Sequence, residues 1–118
     1  MQIFDFGVDA MRAVTEYGSE GFTVAPISRA DGAFVACLRL EPGGRIGRHL
    51  AVNSQLLLLI EGDATVSGED GIEVSLVPGQ AALWRRGESH ETRSDAGMLA
   101  FVTEGRLDLI AAPERRSP

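Results

Sequence analysis

The stretch Pro42-Gly-Gly-Arg-Ile-Gly-Arg-His-Leu-Ala-Val-Asn-Ser-Gln-Leu-Leu-Leu-Leu-Ile-Glu-Gly62 decides how the chain is read. Glycines stand at both ends, a histidine falls at position 49, and five apolar residues run from Leu56 to Ile60. His49 and Ala51 are two apart, so on a strand they share a face. "VNS" (52–54) is a short polar turn that folds the next strand back and sets Gln55 opposite that pair. The run "LLLLI" does not alternate with polar residues, so both of its faces are expected to be covered.

Outside this stretch the same grammar repeats. Turn signals recur at short intervals, among them Asp31-Gly32, Glu61-Gly62-Asp63, Asp70-Gly71, Pro78-Gly79 and Asp95-Ala96-Gly97. Strands are expected near 22–28, 33–40, 45–50, 55–60, 63–67, 72–77, 80–85, 90–94 and 98–103, the pattern of a sandwich or barrel. In "FVACLRL", Phe34, Ala36, Leu38 and Leu40 share one face, while Val35, Cys37 and Arg39 share the other. "DAMRAVTEYG" (9–18) reads either as a short helix or as extended chain, and its β-branched Val14 and Thr15 favour the extended form. The expected organisation is an N-terminal segment over 1–20 that packs on the barrel or a dimer partner, a barrel over 21–104, and a C-terminal extension over 105–118 with a frayed end.

Two segments together resemble the cupin superfamily. Its first motif, G-x5-H-x-H-x3–4-E-x6-G, is matched in spacing by Gly43, His49, Ala51, Gln55 and Gly62. Its second motif, G-x5-P-x-G-x2-H-x3-N, is matched by Gly79, Arg85, Gly87, His90 and Ser94 of "GQAALWRRGESHETRS". The resemblance covers residues 43 to 94 and implies an all-β fold, a single-domain cupin jelly-roll barrel. The chain has only two histidines, and both fall on positions where the family places metal ligands. Ala51 replaces a second histidine and Gln55 replaces a glutamate. Alanine cannot ligate, and an amide is a neutral, weak donor. The resemblance therefore implies a reduced metal set of His49, Gln55 and His90, with Zn, Fe, Mn or Ni as the divalent cofactor to consider.

The candidate pocket is formed by His49, Ala51, Gln55, Trp84, Glu88, His90 and Arg48. Trp84 either walls the barrel mouth or packs in the core, and Glu88 is a candidate base. The leading expectation is a small-molecule binding protein whose ligand is anionic, with no strong catalytic signature. The alternative is a metal-dependent dioxygenase or isomerase using two histidines and a glutamine.

Composition narrows the partners. The 118 residues carry a net charge of −6, and all the basic residues are arginines. An acidic domain without a basic stripe speaks against nucleic acid and anionic membranes. The lone Cys37 cannot close an internal disulfide. With no apolar leader at the start, a cytoplasmic location is expected. The unalternating leucines favour a homodimer that covers the outer face of the sheet.

Overall fold

The computed structural model describes residues 1–107; the end of the expected C-terminal extension lies outside the described residues. Among the described residues there are nine strands: β1 (Arg12–Ala13), β2 (Glu20–Ala30), β3 (Ala33–Leu50), β4 (Ser54–Gly62), β5 (Ala64–Ser67), β6 (Glu73–Leu76), β7 (Ala81–Trp84), β8 (Ser89–Arg93) and β9 (Met98–Gly105). They pair in the order β6-β5-β8-β3-β9-β4-β7, with β2 adding to β3 and β1 to β2, and all pairs are antiparallel. The sheet curls into a nearly closed barrel, the jelly-roll architecture expected from the sequence. Among the described residues no helix is long and apolar enough to cross a membrane.

The opening stretch departs from its sequence reading at one point. Pro42-Gly43-Gly44 is not a turn between two strands but a corner within the single strand β3. Before the corner β3 pairs with β2 and β9; after it, Arg45–Leu50 pair with β8. Gly43 adopts φ +78°, a conformation open to glycine at little cost. Its N–H is shared between the carbonyls of Ser94 and Asp95, and the N–H of Ser94 donates to the Gly44 carbonyl. A strand that changes partners at a glycine kink is how a barrel corner is made without losing ladder bonds.

Burial in the leucine run alternates although its sequence does not. Leu57 and Leu59 are 1% and 0% exposed and point into the core, whereas Leu56, Leu58 and Ile60 are half-buried on the outer face. There Leu58 pairs with Phe101 of β9, which is 41% exposed. The core proper joins Leu38, Leu40, Ile46, Leu57, Leu59, Val66, Leu76, Trp84, Met98 and Val102. Each such side chain contributes about 1.5–3 kcal/mol by leaving water.

The N-terminal segment is mostly extended, with a two-residue strand, Arg12–Ala13, between short 3-10 turns at Val8–Ala10 and Glu16–Gly18. The second turn is clasped to β3. The N–H of Gly47 donates to Ser19 Oγ at 3.0 Å, and Arg45 Nε donates to the Gly18 carbonyl at 3.2 Å. A Cβ on Gly47 would stand 1.6 Å from the Tyr17 carbonyl oxygen, so only glycine permits this approach.

Candidate functional site

A cavity of about 180 Å3 opens inside the barrel. Its body is apolar, walled by Phe22 and Val24 of β2, Phe34, Ala36 and Leu38 of β3, Leu57 of β4 and Val102 of β9. The polar side chains lining it are His49, Gln55, His90, Thr92 and Glu104, with Tyr17 and Val14 contributed by the N-terminal segment. On the scale where one water needs about 10–15 Å3, this space admits a ligand on the order of ten non-hydrogen atoms.

Four of the polar residues are two cross-strand pairs. His49 of β3 is the ladder partner of His90 of β8, and Gln55 of β4 is the ladder partner of Glu104 of β9. Residues directly opposite in a ladder project from the same face with Cβ atoms about 4.5–5.5 Å apart. Strict alternation along β3 would place Ile46 and His49 on opposite faces. A register shift between them turns both into the cavity.

The rings form a continuous row. Tyr17, 57% exposed, stacks on His49 with centroids 4.3 Å apart and planes 6° from parallel. The His49 and His90 centroids are 4.4 Å apart, and those of His90 and Trp84 are 4.5 Å apart. His49 Nδ1 lies 2.7 Å from the Gly47 carbonyl, so that nitrogen carries the proton and Nε2 keeps its lone pair in the neutral ring. His90 is 3% exposed and its Nε2 has no hydrogen-bond partner among the described residues. Burial, and then the charges of His49 and Arg48, push its pKa down to about 4, so the ring is neutral at neutral pH. Burial raises the carboxyl of Glu104, and the nearby charge of His49 partly opposes the rise.

The remaining sequence candidates lie elsewhere. Arg48 is not in the cavity: its guanidinium donates to the Gly68 carbonyl and Ser89 Oγ, each at 3.0 Å, and to Ser67 Oγ. Glu88 caps the turn before β8, accepting the Arg85 N–H at 3.0 Å through Oε1. Ala51 lies one residue past the end of β3, where its backbone bonds with Glu88 and Gly87 and its methyl is buried in the core. Trp84 is 3% exposed and packs in the core, where it meets the site twice: its ring lies 4.5 Å from that of His90, and it is the ladder partner of Gln55 on β4. Among the described residues no arginine lines the cavity, which removes the cation that favoured an anionic ligand.

Three polar cavity residues, Tyr17, Thr92 and Glu104, are absent from the sequence candidates. Glu104 continues the inward face of Met98, Ala100 and Val102, but the strand was ended one residue short of it. Tyr17 follows no strand or helix period; its φ of +59° beside Gly18 at +69° places the ring over the mouth.

A divalent ion, as the fold's relatives imply, can be tested against these side chains. Two imidazoles and a neutral amide make a poor donor set, and Glu104, the carboxylate that lines the cavity, does not converge with both histidines. No three histidine, cysteine, aspartate or glutamate side chains converge to hold a metal among the described residues. The Cys37 thiol gives no help, being buried and pushed up in pKa by that burial, with Arg39 opposing. The residues present do not fit a resident metal.

No family model matches the chain, and no curated protein does. Solved structures match it well in shape. The polyketide cyclase RemF from Streptomyces resistomycificus superposes with a TM-score of 0.76 at 20% identity, covering 89% of this chain and 80% of that one. An RmlC-like cupin from Shewanella frigidimarina gives 0.74 at 16% identity, covering 89% and 91%. A predicted oxalate decarboxylase from Thermotoga maritima gives 0.72 at 19% identity, covering 81% and 90%. The chain has the cupin fold, and its structural neighbours include enzymes as well as proteins of unknown function.

Proposed function

We propose that the protein binds a small, largely apolar, uncharged molecule carrying one hydrogen-bonding end, seated in the barrel cavity. The observation that carries this reading is the division of the cavity into apolar walls and the polar group of His49, Gln55, His90 and Glu104. The side chains of Gln55 and Glu104 make no hydrogen bond within the described protein, so they are free to meet a ligand. A ligand hydroxyl or carbonyl can pair with these groups, whereas a carboxylate would enter an apolar space beside Glu104 with no cation to receive it. The binding function expected from the sequence is kept, and its anionic ligand is replaced by a neutral one.

Paired probes of matched shape test this. Isothermal titration of the whole chain with 2-naphthol and with 2-naphthoate is expected to favour the naphthol by about tenfold or more. Equal or tighter binding of the carboxylate would sink the reading.

The homodimer expected from the leucine run is proposed on separate grounds. The outer face carries Leu56, Leu58, Leu99 and Phe101, and also Arg39, whose Nε is buried without a partner. A carbonyl or carboxylate of a second copy would satisfy it. Sedimentation equilibrium of the wild type and of Phe101→Glu tests the idea: a wild-type monomer, or a dimer indifferent to the substitution, counts against it.

A further inference from the structure

The carboxyl group that the first motif lacks at position 55 is supplied to the same polar group by the adjacent strand. Glu104 is the ladder partner of Gln55, so its side chain stands beside the place where the motif glutamate would project. It lines the cavity with His49. His49 has the attributes of a positioned base. Its Nδ1 is anchored on the Gly47 carbonyl, its ring is held flat against Tyr17, and its Nε2 lone pair is left over. Glu104 has those of a positioned acid. It sits at the end of a strand face otherwise made of Met98, Ala100 and Val102, and no hydrogen bond within the described protein engages its carboxyl.

We infer that His49 and Glu104 are a metal-independent general base and general acid acting on a neutral, enolisable ketone or aldehyde bound in the cavity. The inference rests on the binding reading above and adds a reaction to it. His49 Nε2 removes a proton from the carbon next to the carbonyl, and the C–H electron pair becomes the C=C bond of the enol. The carbonyl oxygen meanwhile takes the proton of the Glu104 carboxyl as its π bond opens. Return of the two protons, the carbon-bound one to the same or a conjugated carbon, restores both residues. The net change is an exchange or a 1,3-hydrogen shift, and no oxidant, reductant or cofactor is consumed. Gln55 beside Glu104 can donate an N–H to the same carbonyl oxygen as charge develops there. Walls of phenylalanine, valine and leucine suit an apolar carbonyl compound and keep bulk water from the enol.

The test uses 2-tetralone as substrate and 2-naphthol, a planar mimic of its enol, as the binding probe. Deuterium uptake at the activated carbon of 2-tetralone in D2O is followed by NMR, with and without the full chain. The protein is expected to accelerate uptake over buffer. Glu104→Gln and His49→Gln are each expected to lose at least about tenfold of that acceleration at saturating 2-tetralone, with both variants folded at the pH of the assay. Added chelator is expected to change nothing. If 2-naphthol binds but uptake stays at the buffer rate, the acid–base pair is wrong and the binding reading survives. If acceleration persists in Glu104→Gln, or disappears with chelator and returns with zinc or manganese, the pair is also wrong. Failure of 2-naphthol and 2-tetralone to bind at all overturns both readings together.

Discussion

The two cross-strand pairs at the polar end of the cavity come from the sequence in different ways. His49 and His90 stand on motif positions, forty-one residues apart in the chain, and β3 and β8 bring them ring to ring at 4.4 Å. Gln55 and Glu104 are built the same way on β4 and β9, but only the first is a motif position. The first pair is stacked and committed to its surroundings: Tyr17 and the Gly47 carbonyl hold His49, and Trp84 flanks His90. The second pair makes no hydrogen bond within the described protein. The difference teaches that a motif marks where a site lies, while its chemistry can arrive from a neighbouring strand.

The strongest way to break the comparison is to remove what holds the first pair. In Gly47→Ala the new methyl collides with the Tyr17 carbonyl, so the 16–18 turn must leave β3 and the ring stack must open. A loss of about 3–4 kcal/mol in denaturant stability is expected, together with at least tenfold weaker 2-naphthol binding. Unchanged values would mean that Tyr17 does not order His49.

Acid separates the pairs by sign. The pKa of His90 is lowered to about 4, so the unfolded chain binds a proton that the folded chain refuses. This stability is whole above pH 6.5 and is lost as pH falls towards 4, by about 3 kcal/mol in all. Glu104 works in the opposite direction: its raised carboxyl favours the folded state more as pH falls towards the ordinary glutamate range. Stability curves against pH for His90→Leu and Glu104→Gln should therefore bend away from the wild type in opposite directions below pH 6.5. Parallel curves would contradict the assignment.

A smaller effect sharpens the contrast at His90 itself. Its Nε2 is buried without a partner, at a cost of about 1–3 kcal/mol. His90→Leu is expected to raise stability at pH 8 by about 1 kcal/mol while weakening 2-naphthol binding, since the residue is kept for its ligand rather than for the fold. A variant both less stable and fully competent to bind would show the reverse. The smallest effect belongs outside the cavity. Arg48→Gln removes an exposed guanidinium that links Ser67, Gly68 and Ser89. It should cost less than about 1 kcal/mol and leave binding alone.

Turn chemistry and period-2 patterning made most of the barrel legible, because each strand lies between residues that favour turns. The corner at Pro42–Gly44 was misread because Pro-Gly-Gly also writes a turn, and only the partner strands distinguish a bend from a break. The same limit applies to the site. His49, Gln55 and His90 could be placed in one cavity from the sequence because spacing within a motif is local. Arg48 and Glu88 were misplaced because a strand bulge and a capped turn redirect side chains that proximity alone would group with the histidines. Glu104 was missed because its relation to Gln55 is a ladder register across forty-nine residues, which no local pattern encodes.

The most direct test uses the scarcity of histidine. With only His49 and His90 in the chain, the imidazole 15N spectrum reports on the polar end of the cavity and on nothing else. Titration with 2-naphthol is expected to shift the signals of both rings along one saturable curve, with chelator present throughout. Two unmoved rings under 2-naphthol, with both shifting under stoichiometric zinc, would contradict the account and return the site to a metal.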